Sequence, residues 1–167
     1  MLSMRFQNLK QYLMSAATIM KAGQFVNDKH VTMLKNNYRE HRWKANSERL
    51  GKMDSLSVWY SLAELKHYIE TAEAAGADGI RVYFGVYPSS YPENILLEDR
   101  QTIAFVATQQ KVSESGKTEN KDLYVSTPNG AEIVAFNIGY PCPPACIGQA
   151  GNELKGVKID AAVTSKI

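Results

Sequence analysis

Residues 61–87 read SLAELKHYIETAEAAGADGIRVYFGVY, and the period of the apolar residues changes part-way along them. Ser61 followed by Glu64 fits a capping box, in which the serine oxygen accepts a free backbone amide and the glutamate reaches back to the serine N–H. Leu62, Leu65, Ile69 and Ala72 then fall on one helical stripe, which predicts a helix over 61–75 with these residues buried. Gly76 supplies a left-handed stop. After Asp78 and Gly79 the apolar residues come at every second position, as Ile80, Val82, Phe84 and Val86, which predicts a half-buried strand. Its other face carries Arg81, Tyr83, Gly85 and Tyr87.

Further along the chain, Pro88 and Pro92 bracket a loop that cannot continue a ladder, and 101–108 returns as a strand with Ile103, Phe105 and Ala107 on one face. The polar run 109–122 reads as an exposed, mobile hairpin tip. Thr127-Pro128-Asn129-Gly130 joins two further strand-prone runs, 123–126 and 132–137, because Asn-Gly adopts left-handed turn geometry readily. Residues 138–156 are rich in proline and glycine and read as irregular, and the tail after them is expected to add a last strand or fray.

Before the opening stretch, Val58-Trp59-Tyr60 is strand-prone. In residues 1–52, Leu2, Phe6, Leu9, Leu13, Ala16 and Met20 form one helical stripe, and Val31, Leu34, Tyr38 and His41 form a second after Gly23 and the capping candidates Asn27 and Asp28. On this spacing His41 is a packed interface residue. The expected fold is therefore α+β: an N-terminal helical hairpin packed on an antiparallel or mixed sheet of about four to five strands, with helix 61–75 covering one face. Two units follow, a basic hairpin over 1–52 and an α+β domain over 53–167.

The length of 167 residues with 44% hydrophobic and 22% charged residues is that of a globular chain and excludes a disordered, collagen-like or disulfide-dense class. The net charge of +2 conceals a split: residues 1–52 carry ten Lys/Arg against three Asp/Glu, residues 53–167 nine against fourteen. Within the basic unit Arg39, Arg42, Trp43, Lys44 and Arg49 combine cations with an aromatic ring, a mixture that can hold phosphates and stack on a base. Packing of a basic hairpin on an acidic sheet domain accounts for the same split, and is the reading preferred to a nucleic-acid partner. The narrow helical stripes suit self-association through the N-terminal helices. No run approaches the length of a membrane span, and the apolar stretch 12–20 contains Ser15 and Thr18 and lacks a small-x-small cleavage site, so a signal peptide is not expected.

Cys142 and Cys146 are the two cysteines, too few for a disulfide framework, and a reducing, cytoplasmic setting is expected from them. Their three-residue separation differs from the spacing of thioredoxin-like redox pairs and common zinc knuckles. Extended Pro143-Pro144 at about 3.1 Å per residue would hold the two Cα atoms roughly 12 Å apart, too far for a disulfide without a turn. Structural thiols in a proline-stiffened loop are the expectation; a redox pair, a reactive thiol and half of a metal site are the alternatives. His30, His41 and His67 have no second ligand one helical turn away, so no metal or cofactor site is expected. Neither a serine elbow, a phosphate-cradling loop nor a dinucleotide fingerprint is present.

Val58-Trp59-Tyr60-Ser61-Leu62, the strand 79–85, Cys142-Pro143-Pro144 and Asn152-Glu153 together resemble a group of small uncharacterised bacterial α+β proteins. The resemblance covers about residues 55–156, brings no activity with it, and implies that strand 79–86 and the proline-cysteine loop belong to one architectural unit. The function expected is a non-enzymatic interaction or ligand-binding module, for a protein or a small molecule, that presents Arg81, Tyr83, Tyr87 and Asn152, since tyrosine and arginine are favoured at recognition surfaces. The alternative is a thiol-dependent enzyme or redox protein using the Cys142/Cys146 loop, with Cys142 or Cys146 as nucleophile and Glu153 or a histidine assisting.

Overall fold

The computed structural model describes residues 22–145. Helix α1 (Asp28–Tyr38) starts at Asn27, whose side-chain oxygen accepts the N–H of His30 at 3.0 Å. The helical path continues through one π-helical turn (Arg39–Trp43) into α2 (Lys44–Leu50), which ends at Gly51 in the left-handed region. A regular period would carry the packed stripe from Tyr38 to His41 and Arg42. The wider π turn carries it to Trp43, five residues on. Trp43 has no exposed surface, Ser47 one turn later is also buried, and His41 is exposed, which corrects its expected packing role.

Strand β1 (Ser57–Trp59) precedes α3 (Leu62–Ala74), and then follow β2 (Gly79–Val86), β3 (Gln101–Val112), β4 (Thr118–Asp122), β5 (Tyr124–Thr127), β6 (Gly130–Ile133), β7 (Ala135–Phe136) and β8 (Tyr140–Cys142). Every pairing is antiparallel: β2, β3, β4 and β7 in one sheet, β5 with β6, and β1 with β8. The expected hairpin over a single sheet of four to five strands with one covering helix is thus overturned. Among the described residues one helical run, 28–50, stands in place of the hairpin, whose first arm falls outside them, and the strands divide among three sheets.

The division has a local cause. Strand β3 changes partner along its length, with 108–112 on β4 and 105–106 on β7. At the change Ala107 donates its N–H to Val134 O at 2.9 Å and accepts from Leu123 N–H at 2.8 Å, so the β5–β6 hairpin leaves the sheet between these two contacts. The polar run 109–122 is correspondingly a pair of strand arms with its tip at 113–117, rather than a loop throughout.

Helix α3 carries the capping box of Ser61 and Glu64, and its N-terminal turn is closed by both hydrogen bonds. Its buried line differs from the expected one. Tyr68 and Ala72 are buried, whereas Leu62 and Ile69 are exposed, Leu62 to 86%. Tyr68 turns the helix, because its ring stacks on Phe136 (5.3 Å) and lies 6.2 Å from Phe105, while Ala72 meets Ala107 and Leu123. Tyr60 completes the aromatic cluster, 5.2 Å from Phe105 and 5.5 Å from Phe136.

Asp54, buried in the turn after α2, ties the helical run to the sheet. Its Oδ1 accepts the N–H of Ser55 and of Gln101, each at 2.7 Å, and its Oδ2 accepts Asn46 Nδ2 at 3.2 Å. Its carbonyl accepts the Trp43 indole N–H at 2.6 Å, and its own N–H donates to Ser47 Oγ at 2.9 Å. Beside it the buried Arg100 donates to the carbonyls of Met53, Leu96 and Pro143, which links residues 53, 96 and 143 through one guanidinium. Burial pulls the Arg100 pKa below its ordinary value, and the charge of Asp54 opposes that shift.

Two stability changes follow. Asp54→Ala leaves the amides of Ser55 and Gln101 without their acceptor, at about 1–3 kcal/mol for each buried donor, and is expected to lower the urea midpoint accordingly, with Asp54→Asn losing less. At Gly139 an added Cβ would lie 2.5 Å from the Tyr60 ring and 2.7 Å from Val58 Cγ1. Gly139→Ala is therefore expected to destabilise by about 1–3 kcal/mol through overpacking, with a lower melting temperature and an altered near-UV signal from the aromatic cluster.

Candidate functional site

The register of β2 on β3 pairs Ile80 with Ala107, Val82 with Phe105, Phe84 with Ile103 and Val86 with Gln101. Directly opposed residues share a face, so the β2 apolar row lies on the side where Tyr68 and Ala72 of α3 meet Phe105 and Ala107 of β3. The helix sits over Phe105, Ala107 and Phe136, and the β2 part of the face is left open. Phe84 is 82% exposed and Val86 64%, and Ile80 and Val82 are also exposed. The expected half-burial of this row is corrected: alternation defines a face, and the placement of a helix decides whether the face is covered.

At the C-terminal end of β2 this open face leads into a groove. A hollow of about 470 Å³ is lined by Tyr38, Arg42, Phe84, Gly85, Val86 and Gln101. A second, of about 200 Å³, shares Tyr38, Phe84 and Gln101 and continues past Ser55, Val58 and Ile103. The shared residues make one continuous trough, with Phe84 in the wall of both parts. Tyr38 is fixed in it by donating its hydroxyl to Ser55 O at 3.1 Å. Arg42 reaches it from the π turn, its Nη1 donating to His41 O at 2.9 Å.

Arg81 and Tyr83 are brought together, but onto an internal partner. Arg81 donates to Asp122 Oδ1 (2.5 Å), to Asn120 O (2.6 Å) and to Tyr83 Oη (3.0 Å), and Tyr83 donates to Asp122 Oδ2 (2.8 Å). Tyr87 is buried, its ring 5.0 Å from Tyr91 and its hydroxyl donating to Asn137 Oδ1 at 2.8 Å. Asn152, Glu153 and Cys146 lie outside the described residues. Cys142 is disulfide-bonded, which corrects its expected state as a reduced structural thiol, and the chain turns at 143–144 instead of running on as an extended proline pair. In the basic segment Trp43 has no exposed face for a base, and Lys44 is paired with Glu40 at 2.6 Å. Arg39 is half-buried and Arg49 is exposed.

Sequence reasoning did not assemble the trough. Tyr38 and Phe84 were each legible as members of an apolar pattern, and no local signal places a residue of helix 28–38 beside one of strand 79–86. Among the described residues no His, Cys, Asp and Glu cluster could hold a metal ion, and no helix is long and apolar enough to cross a membrane. No family model matches the chain, and neither a curated protein nor a solved structure does.

Burial, and then the charge of Asp54, push the Tyr38 phenol up to about 12 from its ordinary 10.0. The folded state therefore holds this proton after the unfolded chain has released it. The stability contributed by the protonated phenol is complete below the unfolded pKa and is lost as pH rises through the folded one. Tyr60 and Tyr68 are raised in the same direction by burial. Urea midpoints are expected to fall between pH 10 and pH 12, and Tyr38→Phe is expected to remove part of that fall while leaving the part due to the other two tyrosines.

Proposed function

We propose that the protein is a non-enzymatic binding module whose trough between α1 and the end of β2 takes a ligand with an apolar body and an acidic group. The observation that carries this reading is Phe84, a large ring left 82% exposed in the wall common to both parts of the trough. Val86, Val58 and Ile103 extend the apolar wall, while Gln101 and the fixed Tyr38 hydroxyl offer orienting polar groups. A concave, mostly apolar site with a few polar groups is the usual form of a small-molecule pocket. Arg42 supplies the cation for the acidic end.

The alternatives have less support. A disulfide-bonded Cys142 carries no thiolate, so a nucleophilic or metal-binding role lacks its attacking or ligating group in this state. The same bond fits an oxidising compartment better than the reducing one suggested by the cysteine count. A buried Trp43 takes the stacking platform from the nucleic-acid reading.

The probe for the test is 8-anilinonaphthalene-1-sulfonate, an apolar ring system with one sulfonate, titrated by fluorescence into the folded protein. Saturable binding is expected. Arg42→Ala is expected to weaken it by about 2-fold to 5-fold, the scale of an exposed charge pair, and Phe84→Ser by more. Variants that keep the wild-type circular dichroism and bind the dye as tightly as the wild type would sink the assignment.

A further inference from the structure

Strand β2 has β3 as its strand partner on one side and none on the other among the described residues. The Tyr87 N–H donates to Arg100 O at 3.0 Å. Counting back by twos along the register, residues 85, 83 and 81 turn their amides toward β3, and Ile80, Val82, Phe84 and Val86 turn theirs outward. The outward peptide groups thus belong to the same four residues whose side chains form the open apolar row.

Natural edge strands are blunted with lysine, proline, a bulge or a cover. Gly79–Val86 contains no lysine or proline. Its single charged residue, Arg81, is drawn onto Asp122 of β4 on the other face of the sheet. An eight-residue edge with an apolar row invites another strand, and the sequence of the edge indicates which one.

We infer that β2 pairs with β2 of a second copy of this chain, antiparallel about a two-fold axis at Tyr83. In that register Ile80 lies opposite Val86, and Val82 opposite Phe84, so all four outward residues find outward partners and each pair exchanges two hydrogen bonds. Centring the axis on Val82 or Phe84 leaves one of the four without an outward partner, and centring it on Arg81 sets two guanidinium side chains face to face. Axes between residues would match outward amides with inward ones. With Tyr83 at the centre, Arg81 faces Gly85 and no like charges meet. On the apolar face the pairs are a β-branched residue with a β-branched residue and an aromatic with a β-branched residue, both favourable across strands.

The open row presents on the order of 400 Å² of apolar surface per copy, the size of a functional patch. That is about half of the ~800 Å² per partner in a standard interface, so a weak, concentration-dependent dimer is the expected product. The inference rests on the edge of β2 and is independent of the ligand assigned to the trough. It also moves the self-association expected from the N-terminal helices to the sheet.

Sedimentation velocity on the full chain, from low micromolar to submillimolar concentration, is expected to show a rising dimer fraction. Val82→Pro removes an outward N–H and leaves pairing with β3 intact; it is expected to weaken dimerisation at least 10-fold with unchanged circular dichroism. If that variant does not fold, Val82→Lys serves the same purpose. The register is tested by crosslinking. No free cysteine is present among the described residues, and Tyr83→Cys places an introduced thiol opposite its own copy, so mild oxidation is expected to give a covalent dimer. Ile80→Cys, which faces Val86, is not. A wild type that stays monomeric throughout, a folded Val82→Pro that dimerises normally, or an Ile80→Cys that crosslinks as readily as Tyr83→Cys would each overturn the inference. Arg42→Ala, by contrast, is expected to change dye binding without changing the sedimentation of the protein.

Discussion

The interaction on which the rest of the structure depends is the buried knot around Asp54 and Arg100. A carboxylate taken out of water is costly unless it is hydrogen-bonded, and Asp54 accepts three hydrogen bonds, from Ser55, Asn46 and Gln101. These donors come from α2, from the turn that follows it and from the start of β3. Arg100 then gathers carbonyls from residues 53, 96 and 143, so the helical run, the loop after β2 and the proline-cysteine turn share one polar anchor. Because Gln101 is both an Asp54 partner and a wall of the trough, the knot also holds Tyr38 and Phe84 at their separation.

The open face of β2 follows from how α3 sits. Its contacts with the sheet run through Tyr68 and Ala72 onto Phe105, Phe136, Ala107 and Leu123, a line of aromatic stacking and small residues close to the junction where β3 changes partners. A helix seated there serves the aromatic cluster and cannot also shield β2. Four apolar side chains are consequently presented to solvent beside an unpaired strand edge. The trough and the open edge of β2 have one structural origin: both lie on the part of the sheet face over which α3 does not sit.

Much of the local structure was legible. The capping box of Ser61 and Glu64, the alternation in 79–86 and the Asn-Gly hairpin are determined by interactions within a few residues, and each is found where its pattern lies. Errors arose wherever a distant contact changed the phase or the partner. The π turn at 39–43 moved the packed position from His41 to Trp43, and Tyr68 rotated α3 away from the Leu62 and Ile69 stripe. Neither of these can be read from spacing, because each is decided by a residue tens of positions away or by a backbone irregularity that leaves no periodic trace.

By itself, then, the sequence determined the segments with a clear period or cap, helix 62–74 and strand 79–86 among them, and which of their side chains share a face, because those properties follow from backbone period and short-range hydrogen bonds; the polar arms of 109–122 and the short strand at 140–142 carry no such period. The tertiary structure decided which faces are buried, which cations are already paired and how Tyr38 comes to stand beside Phe84. The physical reason is that burial and pairing are properties of two surfaces brought together, and the buried polar contacts of Asp54 and Arg100, which bring them together here, join residues up to 47 positions apart in the chain.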